Sequence, residues 1–243
     1  MGTPPYVKYM YPDRLCPIEE ALALQEELFQ QKLAGDENNY ILLAEHQSVY
    51  TCSPWAVANI DALCKIGQSR LPAPLHPLPE DPGGPITYHG PGQLVCYLIL
   101  DLGQFEISIL RFAKLIEEIG IETLAHFGIR AHSKPEGFPG SAGGVWVTRV
   151  NGEQQEIAAR GVRVSKLHGG VTKYGFALNV STDLTYFNDY IFPCGCDIYM
   201  TSMREITGQE YRIWNVADVI AKITTRKLYH MAEVARSRTF AKQ

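Results

Sequence analysis

No stretch of the sequence reaches the roughly 18 consecutive apolar residues of a membrane span, so none is expected. Basic residues are not in excess. Lys and Arg number 22 against 26 Asp and Glu, a net charge of −4, which argues against a nucleic-acid partner held by phosphate neutralisation. Cysteine is sparse: there are six in 243 residues, and only Cys194 and Cys196 lie close together. That excludes a disulfide scaffold and points to a reducing compartment. Cys-x-Cys is not the usual two-residue zinc spacing, so no metal site is expected. Internal repeats, low-complexity tracts and a phosphate-cradling P-loop are all missing, which leaves ATP chemistry without a visible cradle. Residues 1–11 lack the charged-then-apolar order of a secretory signal. Apolar residues make up 46% and charged residues 20%, an ordinary balance for a globular chain long enough to bury a sizeable core.

What stands out is residues 83–95, where four glycines and two prolines surround Thr87-Tyr88-His89. Glycine lets backbone approach a ligand closely, and proline stiffens the turn. The apolar run 94–100 follows, of buried-strand length. We expect a rigid loop packed on a core strand, presenting His89 and backbone amides to a pocket.

Along the chain, residues 17–33 read as a helix, with Pro17 in its first turn, acidic residues at its start and an apolar side through Leu22, Leu24, Leu28 and Phe29. Residues 40–46 and 48–52 read as strands; His46, at a strand end, is expected to be structural more readily than functional. Residues 56–70 suggest a short helix. The six prolines of 71–85 exclude regular structure and suggest a surface loop or lid. Residues 106–127 read as a second amphipathic helix and 132–144 as a loop. A strand at 145–150, a two-residue turn at Asn151-Gly152, a return strand at 155–165, a turn at Gly169-Gly170 and a strand at 171–180 predict three consecutive antiparallel strands. Residues 183–189 suggest a short turn. Asn215 is expected to cap a last helix from 216, running to about 235, with a frayed polar tail. Strand runs with helices at the ends predict an α+β fold in one domain, residues 1–243.

Cys194 sits between Pro193 and Gly195, a stiff and accessible turn suited to a thiolate nucleophile, although a structural cysteine fits the local residues as well. The order of motifs decides between them. Gly83-Gly84, Thr87-Tyr88-His89-Gly90-Pro91-Gly92-Gln93-Leu94, Gly144-Val145-Trp146-Val147, Ile157-Ala158-Ala159-x-Gly161-Val162-Arg163, Gly175-Phe176-Ala177-Leu178-Asn179-Val180 and Pro193-Cys194-Gly195 followed by Thr201-Ser202-Met203 resemble the lipoyl(octanoyl) transferase family. Gln25-Glu26 and His46-x-x-Val49-Tyr50-Thr51 also fit it, so the resemblance covers roughly residues 10–225.

The resemblance implies a mixed, mostly antiparallel sheet with flanking helices, similar to the catalytic domains of lipoate and biotin protein ligases. It implies that Cys194 takes an octanoyl group from octanoyl-acyl carrier protein. The acyl group then passes to a lysine on lipoyl domains of 2-oxoacid dehydrogenases or on the glycine cleavage H protein. It implies neither ATP nor metal nor any other cofactor, and a cytoplasmic or mitochondrial-matrix setting. The implied pocket comprises Pro82, Gly83, Gly84, Pro85, Ile86, Thr87, Tyr88, His89, Ala159, Arg160, Gly161, Tyr174, Gly175 and Phe176.

Three positions depart from the family pattern. Glu156 stands where the family carries the lysine that activates the cysteine, Pro82 where it carries Arg, and Tyr174 where it carries His. A carboxylate disfavours a neighbouring thiolate. If 156–160 is extended, Glu156 and Arg160 share a face, and pairing between them would offset that charge. Lys173 is expected on the face opposite Tyr174. His89 is the best remaining proton carrier; Glu156 itself could take a proton if burial raises its pKa. The alternative is a catalytically impaired or non-catalytic homologue that keeps acyl and lipoyl-domain binding.

Overall fold

A computed structural model describes residues 6–137, 143–165 and 170–240, the side chains of Cys194, Thr239 and Phe240 excepted. Seven strands form the main sheet in the order β1-β2-β6-β10-β9-β8-β7. They are β1 (Tyr6–Met10), β2 (Tyr40–Ala44), β6 (Gln93–Ile99), β7 (His132–Ser133), β8 (Gly144–Thr148), β9 (Gln154–Val164) and β10 (Thr172–Asn179). Among the described residues of this sheet, only β1 and β2 pair in parallel. Three strands form a smaller sheet, β4-β3-β5: β3 (Val49–Cys52), β4 (Leu75–Pro77) and β5 (Ile86–His89).

Both faces of the main sheet are covered, which is why β2 and β6 read as unbroken apolar runs rather than alternating ones. One face carries α3 (Ile109–His126) and α6 (Ile213–Phe240) over Ile41, Leu98, Phe176 and Leu178. The other carries α1 (Ile18–Leu33) over Leu42, Tyr97, Ile99 and Ala177. Three short helices, α2 (Ile60–Leu63), α4 (Thr185–Asn188) and α5 (Met203–Thr207), complete the chain. The small sheet has its own apolar cluster with residues 184–200, built on Tyr50, Tyr88, Trp146 and Phe187. None of the helices among the described residues is long and apolar enough to cross a membrane.

The two sheets meet at one tight junction. Gly92 has φ +80, and a Cβ there would lie 2.6–2.7 Å from the Ser181–Thr182 backbone. Its N–H donates to the Glu45 carboxylate, and its carbonyl accepts from the Val180 and Ser181 amides and the Thr182 hydroxyl.

The α+β class, the flanking helices and the antiparallel trio β8-β9-β10 match expectation. Several details do not. Within the proline-rich stretch, Leu75–Pro77 pairs in parallel with β3, because an edge position tolerates a missing N–H. Residues 86–89 are a strand rather than a loop, and His132–Ser133 adds an edge strand within the expected 132–144 loop. The second long helix starts at Ile109, since Glu106 is left-handed and Ser108 caps the Arg111 amide. Asn215 lies inside α6 rather than capping it, and the helix continues to Phe240 where a frayed tail was expected. The hairpin loop has three residues, not two. Gly152 N–H closes a turn onto the Arg149 carbonyl with φ +87, and Arg149 N–H bonds the Glu153 carbonyl. Gly140 and Gly169 fall outside the described residues, so the expected Gly169-Gly170 turn is seen only at Gly170, which has φ +103.

Candidate active site

The small sheet alternates sharply. Tyr50, Cys52, Ile86 and Tyr88 point into its apolar cluster. With a period of two, Thr51, Ser53, Thr87 and His89 share the other face, turned toward the main sheet and α1. Between these faces lies a cavity. From the motifs singled out in the sequence it is lined by Pro82, Gly84, Ile86, Thr87, His89, Ala159, Arg160, Gly161, Tyr174, Gly175 and Phe176. Gly83, Pro85 and Tyr88 do not line it. Gly83 donates to Asp81, and Tyr88 packs against Tyr186 and Phe187. The lining that sequence reasoning missed is mostly apolar: Ile18 and Leu22 from α1, Leu78 from the proline-rich loop, Val95 and Tyr97 from β6, and Ala177. Their signal was ordinary core hydrophobicity, which does not distinguish a pocket wall from a packed interior. The loop is fastened over the cavity by Pro82, whose carbonyl accepts the Val162 amide, and by Glu80, which pairs with Lys173 at 2.5 Å and Arg163 at 3.2 Å.

His89 is held in one tautomer. Gln93 Nε2 donates to the Tyr88 carbonyl and to Asn179 Oδ1, so Gln93 Oε1 is an acceptor and His89 Nδ1 must carry the proton it meets at 2.7 Å. The lone pair therefore resides on Nε2. Burial lowers the His89 pKa, keeping the ring neutral, and the Gln93 bond offsets this in part. His46, stacked edge-on against His89 at 5.9 Å, is structural. Its Nδ1 donates to the Cys16 carbonyl and its Nε2 accepts from Tyr97, with burial pushing its pKa down to about 3. His46 thus fixes Tyr97, which lines the cavity.

Tyr174 takes the left-handed conformation, φ +63, in the middle of β10. Such a geometry costs roughly 1–3 kcal/mol. Its amide donates to Gln25 Oε1 at 2.6 Å, and Gly175 next to it packs so tightly on the Cys96 carbonyl that a Cβ would overlap it. Lys173 pairs with Glu26 and Glu80 over the Phe29 ring, the same two carboxylates whose charges act on Tyr174.

Pro193–Gly195 is a single 3₁₀ turn. Gly195 has φ +73, and a Cβ there would sit 3.2 Å from Cγ of Pro85, the residue just before β5. The turn thus packs at the mouth of the motif strand. The Cys194 side chain lies outside the described residues. Among those residues no three His, Cys, Asp or Glu side chains come together as a metal site.

A family model described as the lipoyl protein ligase A/B catalytic domain matches residues 17–225. An octanoyltransferase from Bacteroides fragilis is 36% identical over 214 residues, 86% of this chain and 92% of that protein. One from Bacteroides thetaiotaomicron is 40% identical over 197 residues, 79% and 82% of the two chains. The chain belongs to the octanoyltransferase family. In fold it is similar to a chain from a structural study of a bipartite lipoate protein ligase and its E2 lipoyl domain from Thermoplasma acidophilum. That similarity has a TM-score of 0.69 and 15% identity, over 99% of this chain and 93% of that one.

The structure corrects the expected pairing of Glu156. A β-bulge at Ile157 puts two β9 residues against one step of β8: Ala158 pairs with Val145 but Glu156 with Trp146. Ala158 and Arg160 therefore face α3, while Glu156 turns to the cavity side with Ala159. Arg160 pairs with Glu117 of α3 at 2.7 Å and bonds the Ala113 carbonyl, instead of pairing with Glu156. The Glu156 carboxyl lies over Gly144, which has no Cβ to exclude it, and its backbone is stitched to residues 199–201. It is 1% exposed, and burial pushes its pKa up to about 8. The positive charges of Lys134 and then Arg160 oppose that rise. Lys134 directly follows β7 and is a charged neighbour of Glu156 that no sequence motif marked. Burial thus favours the neutral carboxyl, the form that does not repel a neighbouring thiolate.

Proposed function

We propose that the chain, as one catalytic domain, moves an octanoyl group from acyl carrier protein to a lysine of lipoyl domains. The acceptors would be those of 2-oxoacid dehydrogenases and the glycine cleavage H protein. Cys194 Sγ attacks the donor thioester carbon; the carrier thiolate leaves and takes up a proton. The acceptor amine then attacks the acyl-enzyme, the new C–N bond forms, the bond to Cys194 breaks and the amine gives up a proton. Thioester-to-thioester exchange is nearly balanced and amide formation is downhill, so no separate activation is required.

One observation carries this reading. The motif strands meet around a mostly apolar cavity whose wall holds His89 with Nε2 unprotonated, and the Pro-Cys-Gly turn packs at its edge. Each buried CH₂ of the acyl chain contributes about 0.8 kcal/mol of binding. His89 Nε2 is the proton acceptor, and Glu156, titrating near neutrality, is a second proton carrier at the cavity's flank. Its neutral form favours an active transferase over an impaired homologue. The test is intact mass after incubation with octanoyl-acyl carrier protein. An octanoyl adduct is expected on wild type and on Cys196→Ser, and none on Cys194→Ser. An adduct that survives Cys194→Ser ends the proposal.

A further inference from the structure

Ser53 follows β3 on the polar face of the small sheet and is fully buried. It lines the cavity, yet its Oγ has no hydrogen-bond partner among the described residues. A buried hydroxyl without a partner costs about 1–3 kcal/mol, so its retention calls for a reason. Local structure gives none. Ser53 precedes the 3₁₀ turn Pro54–Asn59 at the position where a serine hydroxyl normally caps, but here it caps nothing. The Ala56 amide bonds the Ser53 backbone carbonyl instead. The other partnerless buried hydroxyls, Thr123, Thr201 and Thr224, do not line the cavity.

Its place along the cavity narrows what it serves. Ser53 N–H bonds the Pro85 carbonyl at 2.9 Å, so the two residues lie opposite each other as the β3–β5 pairing ends. Pro85 is the residue that touches Gly195 of the Pro-Cys-Gly turn. The hydroxyl therefore sits at the cavity end nearest that turn. A saturated acyl chain has one polar site, its carbonyl, and that site must lie at this end.

We infer that the Ser53 hydroxyl is the hydrogen-bond donor for the carbonyl oxygen of the acyl group bound in the cavity; this rests on the acyl-transfer reading above. The bond strengthens as the carbonyl oxygen gains charge during attack on the thioester, so it assists the reaction as well as binding. A donor so placed is held ready without rearrangement, and its loss costs up to about 10²–10³ in rate where it acts on the developing oxyanion.

The experiment compares wild type with Ser53→Ala in three measurements: thermal stability, binding of octanamide, and the rate of octanoyl adduct formation. Octanamide is unreactive and offers the same chain and a neutral carbonyl. Ser53→Ala should be at least as stable as wild type, because it deletes an unpaired buried group. It should bind octanamide about five-fold or more weakly, the worth of one such bond. It should form the adduct at least about ten-fold more slowly. A Ser53→Ala protein less stable than wild type, or one that binds octanamide equally well, overturns the inference, as does a wild type that binds no octanamide. The broader reading is judged separately, on whether wild type forms the Cys194 adduct. An adduct with Ser53-independent octanamide binding leaves that reading standing and ends this one. Ser53-dependent binding without an adduct does the reverse.

Discussion

The two sheets spend their side chains differently. The central strands of the main sheet are buried on both faces and approach one another closely, even where they wall the cavity; Gly175 against the Cys96 carbonyl is the extreme case. The small sheet is apolar on one face only. Its other face offers Thr51, Ser53, Thr87 and His89 to the cavity. The main sheet is thus a frame, and its mutants should fail by unfolding. The small sheet carries groups not required by packing, and its mutants should fail in chemistry while staying folded.

The largest effect expected is on the frame. Gly175→Ala places a methyl onto a backbone carbonyl of the neighbouring strand, which cannot move aside. We expect a loss of about 3 kcal/mol or more, measured by urea unfolding, with activity lost in proportion to folded protein. Next is His89→Gln, on the other side of the comparison. It should slow adduct formation on Cys194 by about a hundred-fold or more with little change in the unfolding midpoint. If it unfolds the protein instead, the distinction between the sheets fails.

Glu156 tests the boundary, since it sits on the frame but faces the cavity side. Its folded pKa, about 8, lies above its unfolded value near 4.5. The folded state therefore binds the proton more tightly. Stability from this group is fully present below pH 4.5 and is lost as pH rises through 8. Glu156→Gln removes the loss. We expect it to be more stable than wild type at pH 8, by on the order of a few kcal/mol, with the gap closing toward pH 5 in urea titrations. An unchanged pH profile would show that Lys134 keeps the carboxylate charged throughout. The smallest effect is at the loop. Lys173→Met leaves Glu26 and Glu80 without their shared cation, but both carboxylates reach solvent. The cost should be about 1–2 kcal/mol, with faster proteolytic cleavage in residues 71–85.

Legibility in the sequence followed the same division. The long helices α1, α3 and α6 and the strands β2, β6, β8, β9 and β10 could be read because long periodic or apolar runs report burial directly. Short edge strands could not. His132–Ser133 and Leu75–Pro77 owe their conformation to the partner beside them rather than to their own residues. The motif strand 86–89 was hidden by its flanking glycines and prolines, which are equally at home at strand ends. Part of the cavity lining lies in the motifs, but the face of Glu156 could not be read from them. A single inserted residue at Ile157 reverses the alternation, and nothing in Glu-Ile-Ala-Ala announces a bulge. Ser53 escaped notice for a different reason: only its buried, unbonded state makes a serine before a proline unusual.

The Gly92 junction bears on how a substrate gets in. Three donors converge on one carbonyl there, and the glycine is pressed against the Ser181–Thr182 backbone. Such a weld forbids the sheets from swinging apart like the shells of a bivalve. The proline-rich loop is held more loosely, by the Pro82 carbonyl and by ion pairs to Glu80. Those ties are few and near solvent, so this is the seam that yields more easily than the junction.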